Sequence, residues 1–87
     1  MEGIELKYEF RPPRGDVNIK TPFGDQFKFT DIKQIFIEHT DKIIKRLSIY
    51  PNGFVIYIEQ TAFNVIMRTN WPIQQDRFGE FVVIEPK

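Results

Sequence analysis

The sequence predicts an α+β fold: one small domain over residues 1–87, with an antiparallel sheet of five or six strands and one helix packed on it. Three observations carry that expectation. Thirteen isoleucines and nine phenylalanines stand against two leucines and one alanine, a bias toward β-branched and aromatic side chains that favours sheet. Pro-x-Gly recurs at Pro13-Arg14-Gly15, Pro22-Phe23-Gly24 and Pro51-Asn52-Gly53, and each instance joins a preset φ to a residue that tolerates the left-handed region. One stretch, Thr30 to Arg46, spaces its apolar residues with a helical period.

Taken in order, Ile4, Leu6, Tyr8 and Phe10 alternate with Glu5, Lys7 and Glu9, the pattern of a half-buried strand. Val17 and Ile19, then Phe27 and Phe29, alternate across a Thr21–Gln26 loop and predict a hairpin. Ile32, Ile35, Phe36, His39, Ile43 and Leu47 fall within one helical stripe, with Lys33, Gln34, Glu38, Asp41 and Lys45 away from it. Thr30 or Asp31 could cap the start, so a helix of about three turns is expected from near Asp31 to Thr40. The alternative reads Ile32–Glu38 as one more strand of an all-β barrel or sandwich. Tyr50-Pro51-Asn52-Gly53 reads as a type I turn closing on a left-handed glycine, a three-residue hairpin loop between two apolar runs. Asn70 to Gln75 reads as irregular connection, Asp76–Gly79 as a turn, and Glu80 to Glu85 as a final strand.

The central hairpin carries a register. With Pro51-Asn52-Gly53 as the loop, Tyr50 lies opposite Phe54, Ser48 opposite Ile56, Leu47 opposite Tyr57 and Lys45 opposite Glu59, which sets opposite charges side by side. A second reversal at Gln60-Thr61 would set Phe63 opposite Ile58, Val65 opposite Ile56 and Met67 opposite Phe54. One face then holds Phe54, Ile56, Ile58, Phe63, Val65 and Met67 and must be core. The other holds Leu47, Ile49, Val55, Tyr57 and Ile66, bordered by Lys45, Glu59, Asn64 and Arg68.

Composition narrows the function. The chain has no cysteine, one histidine (His39) and one serine (Ser48). A serine triad, a Cys–His pair or a His- and Cys-rich metal site each needs several of those residues brought together. Twelve acids permit a carboxylate pair, but nothing in the sequence brings two of them into a cleft. A non-enzymatic domain that works by binding is therefore expected, with no cofactor and no metal. His39, two residues from Asp41, is expected to be a partly buried, hydrogen-bonded histidine. Arg14-Gly15-Asp16 spells an adhesive tripeptide, but it also completes a simple turn, and short motifs match by chance. Without cysteine, an apolar membrane-length run or a cationic leader, the chain reads as a cytoplasmic domain with no membrane partner.

The candidate site is the second hairpin face. An apolar centre with a polar rim that includes tyrosine and arginine is the composition of an interface. Lys45, Tyr57, Asn64, Ile66 and Arg68 are its candidate partner-binding residues. The competing expectation is that the N-terminal strands cover this face, because small domains bury most of their apolar surface. The expected partner is another protein, as for adaptors, inhibitors or phage-type modulators, and association of the chain with itself is left open. The alternative is single-stranded nucleic acid, with Tyr57 and Trp71 offering stacking surfaces and Lys45 and Arg68 meeting the backbone. Twelve basic residues balance twelve acidic ones, which weakens that alternative.

Overall fold

The structure is a computed structural model that describes residues 5–12 and 19–86. Among these residues seven strands form in chain order: β1 (Tyr8–Phe10), β2 (Lys33–His39), β3 (Ile43–Ile49), β4 (Val55–Thr61), β5 (Val65–Thr69), β6 (Ile73–Gln75) and β7 (Phe81–Val83). A five-stranded antiparallel sheet runs β1-β5-β4-β3-β2, and β6 and β7 pair as a separate ribbon. No α-helix and no closed barrel are present among the described residues.

The helix expected over Asp31–Thr40 is therefore corrected: that segment is β2, bracketed by a short 3-10 turn at Phe29–Asp31. The strand is the one the all-β alternative placed at Ile32–Glu38, in an open sheet instead of a barrel. The misleading period has a physical source. The pairing of β2 with β3 shifts register between Phe36 and Glu38, so Ile37 is the extra residue of a β-bulge. Phe36 then lies opposite Arg46 and His39 opposite Ile44, on one face, three residues apart. A bulge thus reproduces the i, i+3 spacing of a helix in a strand rich in isoleucine and phenylalanine.

The central hairpin has the expected form. Gly53 sits at φ 96°, the Gly53 amide donates to the Tyr50 carbonyl at 3.1 Å and the Tyr50 amide to the Phe54 carbonyl at 2.8 Å. Lys45 faces Glu59, Leu47 faces Tyr57 and Ser48 faces Ile56. The next reversal is displaced. The β4–β5 turn is Thr61–Asn64, with Ile58 opposite Met67 and Gln60 opposite Val65. Its geometry comes from threonine: the Thr61 hydroxyl accepts the amides of Phe63 at 3.3 Å and Asn64 at 3.1 Å. Thr40 builds the β2–β3 turn the same way, accepting the amides of Lys42 and Ile43 at 3.2 and 3.1 Å. The displacement is an even number of residues, so facing is preserved for Val65 and Met67. Phe63, expected in the core, stands at the turn tip and is 91% exposed.

Phe54, Ile56, Ile58, Val65 and Met67 are buried on one face of the sheet. Their cover comes from outside the sheet: Phe23 and Val83 are fully buried against them, with Ile19, Phe27, Trp71 and Ile73 packed alongside. Phe23 meets Phe27, Tyr50, Phe54 and Trp71 edge-on at centroid distances of 5.4–6.4 Å, a favourable geometry for aromatic quadrupoles. The expected hairpin of residues 17–19 with Phe27–Phe29 is not formed by its described part. Lys20 instead bridges Val82 in parallel, and Phe29 is exposed. Residues 70–75, expected to be irregular, supply β6. Asn70 stitches the hairpin end, accepting the Val55 amide at 2.8 Å and donating to the Gly53 carbonyl at 2.8 Å. The turn at Asp76–Gly79 is present, with Gly79 at φ 81° and the Asp76 carboxylate accepting the amides of Phe78 and Glu80 at 2.9 Å. Ile4, Val17 and the Arg14-Gly15-Asp16 motif lie outside the described residues.

Candidate interaction surface

Strand alternation and the observed registers place one row of five side chains across the face that no described element covers, called the uncovered face below: Ile35, Leu47, Tyr57, Arg68 and Glu9 on β2, β3, β4, β5 and β1. The next row is Glu38, Lys45, Glu59 and Ile66. On the far side of the first row lie Lys33, Ile49 and Val55. Lys45, Tyr57, Ile66 and Arg68 are therefore together on one surface. Asn64 stands outside the strands at the end of the β4–β5 turn, opposite Thr61 and beyond the row of Glu59 and Ile66, where its backbone closes the turn.

The expected cover from the N-terminus is not what its described strand provides. β1 pairs edge-on with β5, Tyr8 opposite Thr69 and Phe10 opposite Met67, extending the sheet sideways. Leu47, Ile49, Tyr57 and Ile66 are half-buried by their neighbours within the face. Val55 is buried to 1% exposure, beside the residue-70 crossing that holds its backbone.

Polar groups in these rows form a chain of matched contacts across all five strands. Arg68 Nε lies 2.7 Å from Glu9 Oε1, and the Arg68 guanidinium carbon sits 5.9 Å from the Tyr57 ring centre. The Tyr57 hydroxyl donates to Glu59 Oε1 at 3.0 Å. Lys45 Nζ is 3.4 Å from Glu38 and 4.0 Å from Glu59. Burial, then the hydrogen bond to Glu59, pushes the Tyr57 hydroxyl pKa upward, and Arg68 opposes that shift. The Glu9 hydrogen bond raises the already high pKa of Arg68 and holds its guanidinium in place. Glu9, Glu38 and Glu59 are thus bonded to two cations, Arg68 and Lys45, or to the tyrosine between them.

The Lys45–Glu59 pair follows from the hairpin register and was legible in the sequence. Glu9 was not, since its partner lies 59 residues away. Ile35 and Glu38 fall in the expected helix, and the bulge hides their facing. His39 is exposed and stacks on Phe36 at 5.6 Å with rings 24° apart, in place of the partly buried role expected for it. Among the described residues no three His, Asp or Glu side chains group as metal ligands, and no helix is long and apolar enough to cross a membrane. Comparison with protein families, curated proteins and solved structures finds no match to this chain.

Proposed function

We propose that this chain is a non-enzymatic binding domain that engages another protein through the uncovered sheet face, with Tyr57 and Leu47 at the centre and Lys45, Ile66 and Arg68 around them. The observation that carries the reading is the charge-matched apolar face itself. Leucine, isoleucine and tyrosine are presented on a hydrogen-bonded five-stranded platform, so little conformational freedom is lost on docking. The tyrosine and arginine are pre-positioned by Glu59 and Glu9, and such anchored amphipathic side chains carry a large share of interface energy. The working setting in this reading is the cytosol, in keeping with a chain that has no cysteine.

The same geometry disfavours single-stranded nucleic acid. Lys45 and Arg68 are each already bonded to a carboxylate, and a phosphate backbone would meet three glutamates. One side of the Tyr57 ring also lies against Arg68, which reduces its use as a stacking platform. The test is a pull-down from the source organism's nuclease-treated lysate, run with the native chain and with Leu47→Lys and Tyr57→Ala. A partner retained by the native chain and lost with both variants, at unchanged far-UV circular dichroism, is the expected result. Capture that disappears on nuclease treatment, or micromolar binding of a labelled oligothymidine that weakens steeply with salt, would replace this reading with the nucleic-acid one.

A further inference from the structure

The two edges of the sheet are unlike. β1 offers three residues, Tyr8–Phe10, whereas β2 offers seven, Lys33–His39, and neither has a strand on its outer side among the described residues. Exposed edges are usually blunted by charge, proline or a bulge. β2 has the bulge, but the residues around it are Ile35, Phe36 and Ile37, and Phe36 and Ile37 are 52% and 60% exposed. A protected edge would carry lysine or glutamate there. The charges stand instead at either end, Lys33 on one side and Glu38 on the other.

We propose that β2 pairs antiparallel with β2 of a second copy across a two-fold axis, joining the two sheets of five strands into one of ten, with Ile35 opposite Ile35 of the second copy. Facing and charge select this register. Lys33, Ile35 and Glu38 share the uncovered face, and Gln34, Phe36 and His39 share the other, because the bulge shifts alternation after Phe36. Paired residues on adjacent strands must share a face. Centring on Ile35 satisfies that rule: Phe36 meets Gln34, the bulge absorbs Ile37, and Glu38 meets Lys33, twice over by symmetry. Centring on Phe36 also keeps the faces matched but sets Glu38 against Ile35 and leaves Lys33 beyond the paired segment. Centring on Lys33 opposes like charges, which destabilises. Only the Ile35 register gives two cross-strand ion pairs and covers Phe36. Glu38 reaches Lys45 through Oε1 at 3.4 Å, so its second oxygen is available to the incoming lysine. The isologous contact closes on itself, giving a dimer and no filament. One edge pairing buries less than the roughly 1,000 Å² of a stable interface, so the dimer is reversible and concentration-dependent.

The absence of native cysteine gives a direct test with the full chain. Opposed Cα atoms in an antiparallel pair lie about 4.5–5.5 Å apart, within disulfide reach, whereas positions displaced along the partner strand exceed it. Ile35→Cys, Gln34→Cys and Phe36→Cys are oxidised mildly at matched concentrations and followed by non-reducing electrophoresis. Ile35→Cys should form the covalent dimer at least about tenfold faster than the other two. Sedimentation equilibrium of the native chain between about 10 µM and 1 mM should show a monomer–dimer equilibrium that Phe36→Lys, at an exposed position, abolishes without changing the circular dichroism. A native chain that stays monomeric throughout, cross-linking led by Phe36→Cys, or equal cross-linking at all three positions overturns the proposal. None of these outcomes depends on which partner the uncovered face takes.

Discussion

Two faces of the same five strands, one residue out of phase, meet opposite fates. On β4, Ile56 and Ile58 point into a layer built from Phe23, Trp71, Ile73 and Val83, while Tyr57 and Glu59 point the other way and bond to each other. Both faces hold hydrocarbon near their centres. The difference lies in how each satisfies its chain. The covered face receives side chains from outside the sheet, contributed by a proline-glycine loop and a two-stranded ribbon. Among the described residues the uncovered face is closed only laterally, by hydrogen bonds and ion pairs running from Glu9 to Glu38. Lateral closure orients side chains but adds little burial, so stability belongs chiefly to one face and presentation to the other.

The strongest test of that division is Phe23→Ala. Phe23 is fully buried and touches four aromatic rings, so truncation should cost about 3–5 kcal/mol, read from urea unfolding. A cost comparable to a surface change would show that the cover is not what holds the sheet. Next comes a matched pair on one strand. Ile58→Ala should lose about 2–5 kcal/mol, and Tyr57→Ala, its neighbour on the open face, distinctly less. Equal losses would mean that something covers the second face in solution and would break the comparison.

Legibility in the sequence divides along the same line. The Pro51-Asn52-Gly53 hairpin could be read to the residue because its turn demands glycine, and the register of β3 with β4 followed from it, Lys45–Glu59 included. The Thr61–Asn64 turn contains neither proline nor glycine. Its shape comes from a threonine hydroxyl holding two amides, a signal shared with many threonines that do nothing of the kind, and the turn tip at Phe63 is not legible for that reason. Phe23 was hidden for another reason: it lies within a predicted turn, and only long-range packing makes it the centre of the core. The β2 bulge disguised a strand as a helix. Lys45, Tyr57, Ile66 and Arg68 nonetheless share a face, because an even register shift leaves facing untouched.

The glycine that made the hairpin legible gives the next expectation. At Gly53 a Cβ would meet Trp71 only at 3.9 Å, so bulk is tolerated and the cost of substitution is conformational. Gly53→Val, forced to φ 96°, should destabilise by about 1–3 kcal/mol. Gly53→Asn should lose less, since asparagine enters the left-handed region more readily than a β-branched residue. If the two variants were equally stable, backbone strain would not be the cause, and packing against Trp71 would have to replace it.

The smallest effect sits on the open face and is read through pH. Burial and the hydrogen bond to Glu59 raise the Tyr57 pKa above its ordinary 10.0. A raised value means that the folded state favours the neutral phenol. The associated stability is therefore complete below pH 10.0 and is lost as pH rises through the folded-state value. Tyr50 is also raised, by its own burial, so the native chain alone would not isolate the contribution. Comparison with Tyr57→Phe does, because Tyr50 and the lysines are common to both chains. The native chain should be the more stable at neutral pH, by the Tyr57–Glu59 hydrogen bond, and its advantage in urea midpoint should shrink as pH rises above 10.0. An advantage that stays constant through that range would mean that Tyr57 and Glu59 are not bonded in solution. The lateral closure of the open face would then lose the link that joins Arg68 on β5 to Lys45 on β3.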